Sequence, residues 1–164
     1  MEIRELNESE LPEALILYEN ARAFMRRIGN ETQWRSGWPP ESVLKEDIEK
    51  HRLYGVFEAG KLRAVFAYWF GRNAEPSYCE IDGKWPDNEA YGVIHRIAAA
   101  EGSGAGKAAL REGIEKSGGH LRIDTHEDNK AMRHVLESMG FRHCGIIYLP
   151  DGSPRHAYAY SSER

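Results

Sequence analysis

The sequence predicts an α/β (α+β) fold, with one mixed sheet of about six to seven strands flanked by about four helices on both faces. Three observations predict it. Short apolar runs of strand length alternate with longer segments of helical period. A glycine-rich turn, Gly102-Ser103-Gly104-Ala105-Gly106-Lys107, stands between an apolar strand and a helix. The 164 residues, 41% apolar and 29% charged, suffice for one sizeable core and not for two, so residues 1–164 are expected to form a single domain.

Glu2 to Leu6 reads as a short first strand. Asn7 and Ser9 are N-cap candidates for a helix from about Glu10 to Arg27, with Pro12 tolerated in its first turn. Leu11, Leu15, Tyr18, Ala21 and Met25 make its apolar stripe, and Gly29-Asn30 ends it. A second helix starts near Pro40, since Pro suits a first helical position, and carries Val43, Leu44 and Ile48. Strands at 53–57 and 62–70 flank the turn Ala59-Gly60-Lys61, which marks a hairpin. Ser77 to Ile81 is a short strand candidate within a loop-rich stretch. Tyr91 to Ala98 is a buried strand, a helix runs from about Gly106 to Lys116, and His120 to Thr125 is a further strand. Met132, Val135, Leu136 and Met139 space a last helix, capped by Asp128 or Asn129 and ended by Gly140. Strands Phe141–Tyr148 and His156–Tyr160 close the chain around Asp151-Gly152. No internal repeat, low-complexity tract or linker interrupts this order.

The net charge of -4 has acids and bases interspersed and shows no basic stripe, so no nucleic-acid partner is expected. Two cysteines, Cys79 and Cys144, are too few for a disulfide scaffold and point to reduced thiols. Met1-Glu2-Ile3-Arg4-Glu5 has no apolar signal core and no apolar run nears membrane-spanning length. A cytoplasmic protein with no membrane partner, monomer or homodimer, is the expectation. The histidines show no zinc-ligand spacing, so no metal is expected.

Strand, glycine turn and helix in that order make an anion site. N–H groups at a helix start converge on one spot, and the helix dipole favours negative charge there. Lys107 at the mouth suits a pyrophosphate; the alternative is a flexible turn with nothing bound. The P-loop pattern fails, since Glu101 stands at its first glycine position and Ala108 at its hydroxyl position. The Rossmann fingerprint fails because Lys107 stands where its third glycine belongs.

The segment Arg96 to Lys107 resembles the acyl-CoA motif of the GNAT superfamily of N-acetyltransferases, Gln/Arg-x-x-Gly-x-Gly/Ala, with Gly104 and Gly106 at its small positions and Glu101 at its first. Downstream, Leu121 to Thr125, Asn129 and the helix ending Gly140-Phe141 resemble that family's next strand, Asn and Gly-Phe helix. The order of elements agrees over nearly the whole chain. The resemblance implies a sheet splayed between the fourth and fifth strands, with the pantetheine arm of acetyl-CoA in the gap. It implies that the backbone of Ile97, Ala98 and Ala99 meets the thioester and pantetheine amides, that Gly102, Ser103, Gly104, Ala105, Gly106 and Lys107 hold the pyrophosphate, and that Asn129 bonds the pantetheine. Acetyl-CoA is then the cosubstrate, and a small-molecule or protein amine the acceptor.

A lysine-like amine, with a pKa of about 10.4, is almost wholly protonated at neutral pH, so a base helps. His95, two residues before Ile97 and so on the same strand face, is the candidate base; the alternative is a buried structural histidine. Glu80, Asp82 and His126 are weaker candidates. Many members of the family use a Tyr as acid at the position of Leu136, and Tyr148 is the candidate substitute, or else a packing residue. Gln33, Trp34, Arg35 and Trp38 lie on the loop that walls the acceptor site in the family, with at least one Trp expected to pack inward. Cys144 is read as a buried thiol. A non-catalytic acyl-CoA-binding module of the same fold is the alternative function, favoured by Leu136.

Overall fold

The structure, a computed structural model, describes residues 1–30, 33–34 and 37–162. It is a mixed α/β protein with one eight-stranded sheet in the order β1-β2-β3-β5-β6-β8-β7-β4 and four α-helices. The elements are β1 (Glu2–Glu5), α1 (Leu11–Arg27), α2 (Glu41–Glu49), β2 (Leu53–Glu58), β3 (Lys61–Gly71), β4 (Asp82–Gly83), β5 (Tyr91–Ala99), α3 (Ala105–Lys116), β6 (His120–Thr125), α4 (Lys130–Ser138), β7 (Arg142–Tyr148) and β8 (Pro154–Ser161). The chain divides into two compact units, Met1–Tyr68 with Ile94–Glu112, and Trp69–Val93 with Gly113–Arg164. β3, β5 and α3 run through both.

In the first unit β1 pairs antiparallel with β2, and β2 with β3. The β2–β3 hairpin turns at Ala59 and Gly60, both at positive φ (49 and 77), the geometry that matches the twist of the flanking strands. The expected α1 stripe forms, with Leu11, Tyr18 and Met25 buried; Ala14 and Leu17 are buried beside them. Together with Leu6, Leu44, Leu53, Phe57, Leu62, Val65 and Ala98 most of that stripe makes the core of this unit. Two helix starts differ from expectation. Asn7 and Ser9 sit at a 3-10 turn (Glu8–Glu10), where the Asn7 N–H donates to Glu10 Oε1 at 3.1 Å, and Glu10 becomes the N-cap of α1. Pro40 is the N-cap of α2, one residue before the first helical position, because its extended ψ of 158 cannot belong to the helix. Gly29, at φ 83, closes α1: the Asn30 N–H reaches Met25 O and the Gly29 N–H reaches Arg26 O.

In the second unit β5 pairs parallel with β6 at Gly92↔Leu121 and Val93↔Arg122. β6 pairs antiparallel with β8, β8 with β7, and β7 with β4. Tyr78, Tyr91, Val93, Ile147 and Ala157 form its core, against which Trp69 and Trp85 pack. The Arg122 guanidinium lies over both Tyr91 (4.0 Å) and Trp85 (4.5 Å) and donates to Asp87 O, fixing the loop before β5. The strand expected at 77–81 is instead a 3-10 turn, Pro76–Tyr78, and pairing begins only at β4. Pro76 has no N–H for a ladder, and this added two-residue strand is what raises the count above six or seven. α4 is capped by Asn129, whose Oδ1 accepts from the Met132 N–H at 3.2 Å. It ends at Gly140, with Phe141 N–H to Leu136 O and Gly140 N–H to Glu137 O.

Candidate functional site

The second half of β5, the turn 100–104 and the first turns of α3 all lie in the first unit, and the candidate site is built there. Arg96 interrupts β5 with a left-handed φ of 53, an uncommon state for a residue with a Cβ. Two helices hold it. The Tyr18 hydroxyl of α1, fully buried, donates to Arg96 O at 2.6 Å. Asp47 of α2, also buried, accepts two bonds from the Arg96 guanidinium, at 2.9 Å from Nε and 2.8 Å from Nη2. Burial drives the Tyr18 hydroxyl far above the ordinary tyrosine range, so it stays a donor at every working pH. A left-handed residue inside a strand turns the backbone that follows it. Here that backbone is Ile97, Ala98 and Ala99.

The turn follows directly. Ala100 N–H bonds Arg63 O at 2.8 Å, and the Ser103 hydroxyl donates to Ala100 O at 2.7 Å while accepting from Ala105 N–H at 3.2 Å. Gly102 and Gly104 adopt positive φ (70 and 74), and a Cβ at either would meet nothing within 4 Å. Their faces are open. In the first turn of α3, Ala108 N–H returns to Gly104 O, while Gly106 and Lys107 donate to no acceptor among the described residues. These free N–H groups, two open glycine faces and the exposed Lys107 fit a pyrophosphate. Glu101, the acid at the head of the turn, is ion-paired with Arg27 from the last turn of α1.

His95, Ile97, Ala98, Ala99 and Gly102 to Lys107 are thus brought together in one unit. His95 immediately precedes the left-handed Arg96 and its Nε2 is shielded from solvent. The expected shared face of His95 and Ile97 requires an unbroken strand, and Arg96 at φ 53 interrupts the two-residue period between them. Asn129, Tyr148, Glu80, Asp82, His126 and Cys144 belong to the second unit. Asn129 is buried as the cap of α4, and Tyr148 is half exposed at the end of β7. Glu80 and Asp82 are exposed. His126 bonds its own loop, its Nδ1 accepting from the Asp128 N–H at 3.0 Å. Cys144 is partly buried, and burial raises its thiol pKa, which opposes a nucleophilic role. Trp34 packs on Tyr18 with ring centres 5.6 Å apart, whereas Trp38 is exposed; Arg35 lies outside the described residues. Among the described residues no three His, Cys, Asp or Glu side chains cluster for a metal ion, and no helix is long and apolar enough to cross a membrane.

Sequence reading missed the Tyr18, Asp47 and Arg96 lock and the Arg27–Glu101 pair. Tyr18 had a signal, but as a core residue, and nothing local tied Asp47 or Arg27 to the turn.

The left-handed Arg96, the open glycine turn and the N–H groups left unpaired among the described residues at the start of α3 define an anion-binding class of site on a mixed sheet. No family model matches the chain, and no curated protein does. Solved structures do. An acetyltransferase of the GNAT family from Streptococcus agalactiae is 33% identical, with a TM-score of 0.88 over 99% of this chain and 96% of its own. The ribosomal-protein-S18-alanine N-acetyltransferase of Escherichia coli is 18% identical (TM-score 0.62, 97% of this chain, 92% of that one). The ribosomal-protein-alanine N-acetyltransferase of Brucella melitensis is 17% identical (TM-score 0.65, 98% and 99%). The last two share the fold. The chain belongs to the GNAT family of acetyltransferases.

Proposed function

We propose that the protein transfers an acetyl group from acetyl-CoA to a primary amine of a small molecule or protein. The observation that carries this reading is the left-handed Arg96, locked by Tyr18 and Asp47 and followed at once by an open glycine turn. The N–H groups of Ile97 to Ala99 are proposed to meet the thioester carbonyl and pantetheine amides, and Gly102 to Lys107 the pyrophosphate. The amine nitrogen bonds the carbonyl carbon, the C–S bond breaks, the amine gives up a proton and the CoA sulfur takes one. A backbone donor held on the carbonyl oxygen stabilises the charge that develops during attack. His95 is the proposed base and Tyr148 the proposed acid. The roles of His95 and of Asn129 toward pantetheine rest on the family resemblance, whereas Tyr148 is proposed as the substitute for the family's tyrosine, whose position Leu136 occupies. A cytoplasmic location is part of the same reading.

The test is acetyl-CoA binding followed by thiol release with an amine panel. Gly104→Glu places a charged side chain on the open face and a strained φ of 74, and is expected to weaken acetyl-CoA binding by at least about tenfold. Unchanged affinity in that variant would remove the turn from the site. One observation favours a second reading, an acyl-CoA-binding module without catalysis: Leu136, at the usual acid position of the family, is fully buried and apolar. Tight acetyl-CoA binding with silence across the amine panel would favour that alternative.

A further inference from the structure

An acid heading a phosphate turn should repel its ligand, and Glu101 heads this one. Its carboxylate does not face solvent alone. Arg27 Nη2 donates to Glu101 Oε1, and both side chains are 62% exposed, so an anion can reach them. The cation is placed from the helix side. Arg27 lies in the last turn of α1, where the helix dipole favours positive charge, with its guanidinium 5.6 Å from the centre of the Phe24 ring. The Gly29 closure fixes where that turn ends. A guanidinium has five N–H donors in a planar fork, and the carboxylate engages one nitrogen of it, leaving donors for a phosphate oxygen. Exposed ion pairs contribute little to stability, so the pair's consequence is to be sought in binding.

We propose that Arg27 is a phosphate ligand of the bound CoA, supplying from α1 the positive charge that the head of the glycine turn lacks, with Glu101 as its ion-pair partner in the free chain. The proposal rests on the acetyl-CoA reading. Calorimetric titration of the full chain with CoA tests it in four forms: wild type, Arg27→Gln, Glu101→Gln and the double variant. Arg27→Gln is expected to weaken CoA binding about tenfold at low salt with an unchanged thermal midpoint, and the loss shrinks as salt rises. The same substitution in the Glu101→Gln background still weakens CoA binding, by a smaller factor, because the repelling acid is gone while the phosphate contact is lost as before. Equal affinity of wild type and Arg27→Gln overturns the proposal. So does an Arg27→Gln effect that vanishes in the Glu101→Gln background, which would leave Arg27 merely cancelling the acid. A wild-type chain that binds no CoA sinks the acetyl-CoA reading itself, and the proposal with it.

Discussion

Arg96 occupies a backbone state that costs a residue with a Cβ about 1–2 kcal/mol, and it persists because three contacts over-determine it. The Asp47 partner is almost wholly buried, its side chain 5% exposed against 16% for Arg96. Removing the Asp47 carboxylate takes two charge-assisted bonds from the buried side of the Arg96 guanidinium. Asp47→Ala is therefore expected to destabilise the chain by about 3 kcal/mol in chemical denaturation, a large part of the margin of an ordinary domain. Should the denaturation midpoint of that variant match the wild type, the pair does not hold Arg96 in its left-handed state. The same residue shows what a linear reading leaves out. Ile97 to Ala99 and the glycines were legible because strand and turn chemistry is local. The state of Arg96 was not, since no residue type announces a non-glycine left-handed φ. Tyr18 entered the helix stripe correctly as apolar surface, while its hydroxyl acts on a carbonyl 78 residues away.

At the scale of elements, helix ends were read closely because their signals are chemical and short-range. Gly29 and Gly140 take positive φ where the stripes of α1 and α4 end, and each glycine and the residue after it donate one N–H apiece to carbonyls of the last turn. β4 was missed because two residues make no pattern. Its pairing with β7 depends on bare backbone: a Cβ at Gly83 would lie 2.2 Å from Cys144 O, and one at Gly145 would lie 2.2 Å from Asp82 O. Neither neighbour is the movable end of a side chain. Gly145→Ala is expected to abolish the Asp82↔Ile146 and Gly83↔Gly145 pairing and cost about 1–3 kcal/mol through strain. Amide exchange at Lys84, whose N–H bonds Cys144 O at 2.9 Å, reads this locally. Retained protection at that amide would mean the edge tolerates the methyl group.

For the molecule as a whole, the pH dependence of stability follows from two histidines. Burial, followed by Arg155, lowers the pKa of His126; burial, followed by Arg133 and His143, lowers that of His156. The second has a direct geometric cause as well. His143 Nε2 and His156 Nδ1 lie 2.7 Å apart, so one N–H fits between the rings and a second proton sets two cations side by side. A lowered folded pKa means that the unfolded chain, with histidine near 6.5, takes up protons first as pH falls. This stabilising contribution is complete above about pH 6.5 and is lost as pH falls toward the folded values. The carboxylates held low by cations, Glu10 by Arg4 and Glu46 by Lys50, act in the same direction only below the ordinary carboxylate range, near pH 4.5. Between pH 8 and 5 the histidines therefore set the sign. Urea midpoints are expected to be flat from pH 8 to 7 and then to fall toward pH 5, and a His126→Gln/His156→Gln variant to flatten that fall. A midpoint that rises on acidification, or an unaltered slope in the double variant, would show that charges elsewhere in the chain govern the response.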